Sequence, residues 1–214
     1  MNEDLTLAPH EIERKSFEIL SAELGDRTFP PLEEPVVKRV IHTTADFSYA
    51  DTLAFSPGAV EAGIAALRAG AMIVTDTNMA LAGISKAALA KVGGRAACFM
   101  ADADVAAAAK EHGTTRAVAC MDKACDMEGP LILAIGNAPT ALLRICELVE
   151  SGRMDPALVI GVPVGFVNVV ESKERVIEAG IPSIVARGRK GGSNVAAAIA
   201  NALLYEITRD GAGR

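Results

Sequence analysis

The chain has 214 residues, of which 50% are hydrophobic and only 4% aromatic, and its formal net charge at pH 7 is −6. This length suits one domain with a sizeable aliphatic core, so we predict a single domain over residues 1–214. The acidic total argues against nucleic acid or an anionic membrane as a partner, but it leaves room for a local site that binds an acidic ligand.

The N-terminal segment and the cysteines predict a cytoplasmic protein. Residues 1–17 are polar and acidic, and they contain no apolar run of the kind that a signal peptide needs. The longest uncharged apolar stretch, residues 157–170, is shorter than a membrane span and is interrupted by glycine and proline. None of the four cysteines forms a CxxC pair, which favours free thiols in a reducing compartment and no metal site.

The spacing of apolar residues predicts two N-terminal helices followed by alternating strands and helices. The first two helices are predicted at residues 9–23 and 31–46. The predicted strands are residues 71–75, 96–100, 131–135, 158–160 and 183–186. The other predicted helices are residues 56–70, 85–92, 102–112, 114–127, 139–150, 171–179 and 193–208. The alternation predicts an α/β fold with a mainly parallel sheet of about five strands and helices on both faces.

Three strand ends lead into glycine-bearing loops at one edge of the predicted sheet. The first, second and third loops are residues 136–140, 161–165 and 188–193. Ligands of parallel sheets bind beyond the carboxyl ends of the strands, and the N–H groups at a helix start attract anions. Arg187, Arg189 and Lys190 add positive charge at the third loop. Any one loop fits ordinary turn chemistry better, but the three together favour an anion site.

His42 is the most informative single residue, because it shares a predicted helix face with Lys38 and Arg39. Neighbouring cations should lower the pKa of an imidazole, and an anionic ligand should raise it. A histidine placed in this way is able to exchange a proton near pH 7. The same spacing fits a solvated polar face of a helix equally well. The other two histidines, His10 and His112, fit surface or helix-end positions.

The acidic residues and the motif search narrow the function by exclusion. Asp46 and Asp76 are isolated candidates, and Asp76 directly follows a predicted strand, where a site role and a turn role both fit. The sequence has no GxSxG elbow, no GxGxxG fingerprint and no GxxxxGK[ST] loop. Readings as a serine hydrolase, a dinucleotide enzyme or a nucleoside triphosphatase therefore lose their main support.

Six regions, in order and spread over nearly the whole chain, together resemble the precorrin-8X methylmutase family. They are residues 13–17 (ERKSF), 38–47 (KRVIHTTADF), 75–79 (TDTNM), 136–142 (GNAPTAL), 161–167 (GVPVGFV) with 171–174 (ESKE), and 188–205 (GRKGGSNVAAAIANALLY). Each region alone is weak evidence, whereas the ordered set is specific. HTTADF and RKGGSNVAAAI look closer to the cobalt-dependent branch than to the oxygen-dependent branch.

The resemblance implies an isomerase of cobalamin biosynthesis. The family moves a methyl group from carbon 11 to carbon 12 of precorrin-8 or cobalt-precorrin-8 by a 1,5-sigmatropic shift. The product is hydrogenobyrinate, or cobyrinate when cobalt is bound. The resemblance implies no cofactor, because any cobalt belongs to the corrinoid substrate. It also implies a homodimer whose sites lie near the subunit interface.

The resemblance also carries residue roles onto this chain. His42 matches the family's catalytic histidine, whose expected role is to protonate the macrocycle. Ser16 and Arg39 match substrate-contacting positions. The remaining expected contacts with substrate carboxylates are Arg116, Asn137, Thr140, Lys190 and Ser193.

Two other functions remain open at this point. A corrinoid carrier without turnover would bind the same ligand, although the carrier motif DxHxxG is absent. A generic α/β transferase acting on an anionic metabolite would explain the glycine-bearing loops, but it would leave the ordered set of motifs as coincidence.

Overall fold

A computed structural model describes residues 8–208 and shows one six-stranded sheet. The strands are β1 (Leu53–Phe55), β2 (Met72–Thr75), β3 (Arg95–Ala97), β4 (Leu131–Ile135), β5 (Leu158–Gly161) and β6 (Ser183–Ala186). Their spatial order is β1-β6-β5-β4-β2-β3. Strands β2 to β6 pair in parallel, and β1 pairs with β6 in the antiparallel direction. The predicted α/β class is confirmed, with six strands instead of about five.

Helices precede, connect and follow the strands. Within residues 8–208 they are α1 (Pro9–Leu24), α2 (Glu34–Thr44), α3 (Tyr49–Thr52), α4 (Ala59–Arg68), α5 (Asn78–Gly83), α6 (Lys86–Lys91), α7 (Ala103–Glu111), α8 (Arg116–Cys125), α9 (Pro139–Glu150), α10 (Val169–Glu178) and α11 (Ser193–Thr208). No helix in this part of the chain has the length and apolar character needed to cross a bilayer. The two predicted N-terminal helices are confirmed as α1 and α2.

Three short elements differ from the sequence-based prediction. Strand β1 and helices α3 and α5 have three, four and six residues, which is too short for a periodic pattern to show. Ser56 was expected to cap the next helix, but α4 begins after Gly58 in a left-handed conformation. The Ser56 hydroxyl instead accepts a hydrogen bond of 2.8 Å from the backbone N–H of Ser183, which ties β1 to β6.

Alternate residues of the central strands point into two apolar cores, one on each side of the sheet. In β4, Ile132 and Ala134 pack on the side of α2, α4 and α11, whereas Leu131, Leu133 and Ile135 pack on the side of α8, α9 and α10. All five are buried. Burying one Leu or Ile side chain stabilises a fold by about 1.5–3 kcal/mol. Helices cover both faces of the sheet, as predicted.

The strand order creates a crevice between the carboxyl ends of β2 and β4. The chain runs from β2 outward to β3, then crosses back to β4 and continues through β5 to β6 on the other side. The loops that leave β2 and β4 therefore diverge, and ligands of such sheets usually bind where this happens. Asp76 directly follows β2 and Gly136 directly follows β4, so both stand at the crevice.

Candidate functional site

The Asp76 carboxylate fills the crevice between β2 and β4. This side chain is only 1% exposed. One oxygen accepts a hydrogen bond of 2.9 Å from the N–H of Gly136, and the other accepts bonds of 2.7 and 2.6 Å from the N–H groups of Asn137 and Ala138. Burial raises the pKa of Asp76, and the three backbone bonds oppose that rise. The protein thus supplies its own anion at this point.

This arrangement corrects the expectation for the first loop. The sequence suggested that N–H groups at the start of α9 are free to bind a ligand anion. Three N–H groups of the loop that leads into α9, those of residues 136–138, are already bonded to Asp76. The side chain of Asn137 remains exposed. A ligand that approaches the first loop would therefore find the N–H groups of residues 136–138 already bonded to Asp76.

The three glycine-bearing loops lie against one another. The N–H of Gly192 in the third loop donates to the carbonyl of Val162 in the second loop at 2.8 Å. A Cβ on Gly136 of the first loop would lie 2.7 Å from the Cα of Ser193, so only glycine fits there without displacement. The Ser193 hydroxyl is 2.8 Å from the hydroxyl of Thr77. The loops therefore form one continuous edge, with Ser193 held inside it.

Two of the three cations at the third loop are ion-paired. Arg187 contacts both carboxylate oxygens of Glu174 at 2.7 and 3.1 Å. Lys190 donates to Asp46 at 2.6 Å and to the hydroxyl of Ser48 at 3.0 Å. The hydrogen bonds that Asp46 accepts from Lys190 and from Ser48 lower its pKa. Lys190, which was predicted to contact substrate, is thus held by the turn after α2 and would have to exchange partners to do so.

Arg189 differs from its two neighbours. Its guanidinium lies 5.5 Å from the ring centroid of Phe166, and the Phe166 side chain is 81% exposed. Within residues 8–208, Arg189 has no carboxylate partner. It is therefore better placed than Lys190 to meet an acidic ligand. The sequence counts Arg189 among the cations of the third loop but does not single it out as a substrate contact, because the ion pairs of its neighbours involve residues that are remote in the chain.

His42 lies in the last turn of α2 and stacks on an aromatic ring of α1. The rings of His42 and Phe17 are 4.9 Å apart and within 7° of parallel. Arg39, one turn earlier, places its guanidinium 4.7 Å from the Phe17 ring and donates to Glu13 at 2.7 Å. The predicted residue Ser16 adjoins Phe17, and its hydroxyl donates to the carbonyl of an earlier residue of α1. The structure therefore brings Arg39 and His42 of α2 against Phe17 of α1, and Ser16 precedes Phe17 in the same helix.

The surroundings of His42 lower its pKa. Partial burial is the largest cause, the positive charge of Arg39 adds to it, and the negative charge of Glu13 opposes it. The other neighbouring cation, Lys38, pairs with Glu34 at 2.6 Å. Lowering the pKa favours the neutral imidazole near pH 7. A negatively charged ligand bound beside Arg39 would shift the balance back toward the imidazolium.

The other predicted residues lie with α8 and α9, on the sheet face opposite α2. The hydroxyl of Thr140 at the start of α9 is 3.2 Å from the hydroxyl of Thr115 at the start of α8. Arg116 is exposed and makes no ion pair with any residue between 8 and 208. One chain therefore does not bring Arg116 and Thr140 into direct contact with His42.

A cavity of about 840 Å³ opens between α7, α8 and α9. Thr140, Asp122 and Arg144 are among its lining residues. His42 does not line this cavity. The observed link between His42 and the strand-end loops is the Lys190–Asp46 ion pair, four residues beyond His42.

The cysteines and the acidic residues offer no evident metal site. Cys98, Cys120, Cys125 and Cys146 are free thiols. Among residues 8–208 there is no group of three or more His, Cys, Asp or Glu side chains arranged to hold a metal ion.

The whole chain is similar to known methylmutases. Residues 11–206 match the family model described as precorrin-8X methylmutase. A cobalt-precorrin-8 methylmutase of Salmonella typhimurium is 47% identical over 207 residues, which cover 93% of this chain and 96% of that protein. Another, from Priestia megaterium, is 45% identical over 199 residues, with 93% and 88% covered.

A solved structure shows the same arrangement of helices and strands. The crystal structure of a precorrin-8X methylmutase from Thermus thermophilus is 45% identical in sequence and superposes with a TM-score of 0.85. The superposition covers 91% of this chain and 94% of that one. The likeness thus extends over most of the chain.

Proposed function

Because this chain belongs to the precorrin-8X methylmutase family, we propose that residues 1–214 form one catalytic domain in which His42 donates a proton during the reaction. The reaction is an isomerisation in cobalamin biosynthesis, in which a methyl group moves from carbon 11 to carbon 12 of precorrin-8. The family match over residues 11–206 leaves the alternatives of a carrier without turnover and of a generic transferase without support. A cytoplasmic location is part of the proposal, since free thiols fit a reducing compartment.

The stacked imidazole of His42 is the observation that carries this proposal. A methyl shift is favoured when the framework that receives the methyl group is electron-poor, and protonating an atom of the macrocycle makes it so. Stacking on Phe17 fixes the plane of the imidazole and leaves its edge available. Neither ring nitrogen is hydrogen-bonded to another residue of the 8–208 range. A positioned general acid of this kind contributes about 10²- to 10⁴-fold to a rate.

Binding of the negatively charged substrate would favour the protonated form of His42. Precorrin-8 carries several acetate and propionate arms, and each is a carboxylate at neutral pH. The free protein holds the pKa of His42 below its usual value, through burial and Arg39. A carboxylate arm that binds Arg39 would cancel part of the Arg39 effect and raise the pKa of His42. Binding and protonation are coupled in this way.

The spread of predicted binding residues supports a homodimer. His42 and Arg39 lie on α2, whereas Arg116 and Thr140 lie with α8 and α9 on the opposite face of the sheet. We propose that a second copy brings the two surfaces together around one corrinoid. Light scattering should then give twice the 22.2 kDa mass of one chain. A particle with the mass of a single chain at assay concentrations would contradict this part of the proposal.

Turnover with excess substrate tests the proposed function. We expect catalytic amounts of the protein to convert many equivalents of precorrin-8 or cobalt-precorrin-8, followed by the change in the absorption spectrum of the ring. Conversion that stops at one equivalent, or binding without conversion, would favour a carrier instead. Comparing kcat/KM for the two substrates also shows which metal state this chain prefers.

Arg39→Ala should weaken binding of the carboxylate-bearing product by about tenfold or more, because a charge-assisted hydrogen bond contributes about 1.5–3 kcal/mol. Titration of the product, followed by absorbance or calorimetry, measures the change. Lys38→Ala is the matched control, since Lys38 is the adjacent cation of α2, is likewise ion-paired, and is assigned no substrate contact by the resemblance. Equal affinities for the wild type and the Arg39 variant would show that Arg39 only packs α1 against α2.

A further inference from the structure

Lys173 is a fully buried cation that binds backbone carbonyls and no carboxylate. It lies on α10, and its side chain is 0% exposed. Its Nζ donates to the carbonyls of Gly188 and Lys190, each at 2.8 Å. The adjacent Glu174 forms its ion pair with Arg187 instead. No residue in the described part of the chain forms a salt bridge with Lys173.

Stability alone gives a poor account of this lysine. Burial lowers the pKa of its ammonium group to about 8, which shows that the charged form is disfavoured where it stands. A methionine has nearly the same length and would fill the space without desolvating a charge. The advantage of lysine over methionine must therefore lie in the two carbonyls that it holds.

Those carbonyls flank Arg189. Gly188 and Lys190 are its two neighbours in the chain, and both carbonyls bind Lys173. The carbonyl of Arg189 itself accepts a hydrogen bond of 3.2 Å from the N–H of Gly165 in the second loop. Three consecutive carbonyls of the third loop are thus bonded, and the backbone that carries Arg189 is fixed. Arg189 is also the cation of this loop with no carboxylate partner within residues 8–208.

We propose that Arg189 binds a carboxylate arm of the substrate and that Lys173 is the positioning residue that holds Arg189 in place for it. This inference rests on the proposed methylmutase function, and it adds a binding residue and its support. The exposed ring of Phe166 lies beside the Arg189 guanidinium and shields one of its faces. The donor edge of the guanidinium is left to meet a carboxylate, which it recognises by two parallel hydrogen bonds.

Steady-state kinetics of Lys173→Met and Arg189→Met test the inference. For each variant we expect KM for precorrin-8 to rise about tenfold, the effect of losing one charge-assisted contact, with kcat within about twofold of the wild type. The double variant should raise KM no further than either single change, because both remove the same contact. The melting temperature of Lys173→Met is measured beside KM, because the carbonyls of Gly188 and Lys190 lose their donor in this variant, and some stability is lost with it.

The control is Arg175→Met, which removes an exposed, ion-paired cation two residues away on the same helix and should leave KM unchanged. An unchanged KM in Arg189→Met overturns the binding role. A Lys173→Met variant with lower stability and a reduced kcat, but no change in KM, shows a merely structural lysine and overturns the positioning role. If the wild type itself fails to convert precorrin-8, the proposed function fails first, which separates the two failures.

Discussion

His42→Ala is expected to lower kcat by about 10²- to 10⁴-fold, the range that a general acid contributes. Alanine removes the only imidazole of the α1–α2 surface that stacks on Phe17 and stands beside Arg39. Product affinity should change much less than kcat, because the guanidinium of Arg39 and the strand-end loops remain in place. Steady-state turnover of precorrin-8 together with a product titration measures both quantities.

The control for this variant is His112→Ala, which removes an exposed histidine at the end of α7. It should retain wild-type turnover. Turnover of His42→Ala within a few-fold of the wild type would reject the acid role, whatever the affinity for product.

The pH profile of the wild type provides an independent check on the same residue. The acid acts when protonated, so kcat/KM should fall as the pH rises through the pKa of His42 in the free protein, which lies below its usual value of 6.5. In the complex, substrate carboxylates raise that pKa, so kcat should fall only at higher pH. Both declines should be absent from the residual activity of His42→Ala.

Asp76→Ala is expected to lower the free energy of unfolding by about 3 kcal/mol or more. The change leaves the N–H groups of residues 136–138 without their acceptor, and each buried donor that loses its partner costs about 1–3 kcal/mol. A loss of this size corresponds to a drop in melting temperature of about 6–12 °C for a chain of this length. Urea and thermal denaturation measure the effect.

Asp155→Ala is the matched control, because Asp155 is exposed and makes no hydrogen bond or ion pair with other residues from 8 to 208. It should unfold like the wild type. A loss in Asp76→Ala no larger than in this control would mean that water replaces the carboxylate at no cost. The stability of Asp76→Asn should lie between those of Asp76→Ala and Asp155→Ala, since an amide offers one acceptor oxygen where the carboxylate offers two.

The parts of the fold that follow local pattern could be predicted from the sequence. Strands β4 and β6 and helix α9 have the predicted boundaries, because fully buried strands bounded by glycine and proline stand out from their surroundings. Strand β1 could not be predicted in this way. Its three residues are paired by contact with β6, which lies more than a hundred residues further along the chain.

The site divides in a similar manner. The resemblance assigned Ser16, Arg39 and His42, and the structure places Arg39 and His42 around the ring of Phe17 where α1 meets α2. Nothing in the spacing of the sequence indicates that Asp76 accepts hydrogen bonds from residues 60 and more positions later. The backbone N–H groups of residues 136–138, which were expected to bind a ligand anion, therefore bind the Asp76 carboxylate instead. Local sequence reports the geometry of a turn and not the remote group that occupies it.

The short outer strands bear on how copies of this chain can associate. Both edges of the sheet are strands of three residues, and β1 runs against the direction of its neighbour. An incoming strand needs a long row of unpaired N–H and C=O groups to attach, and such a row is the usual template for fibrils. Each edge strand here offers only three residues for pairing, so open-ended polymerisation through backbone hydrogen bonds is disfavoured. Copies of the chain are then expected to associate through side chains of helices and loops. Contacts of that kind can close into an oligomer with a fixed number of subunits.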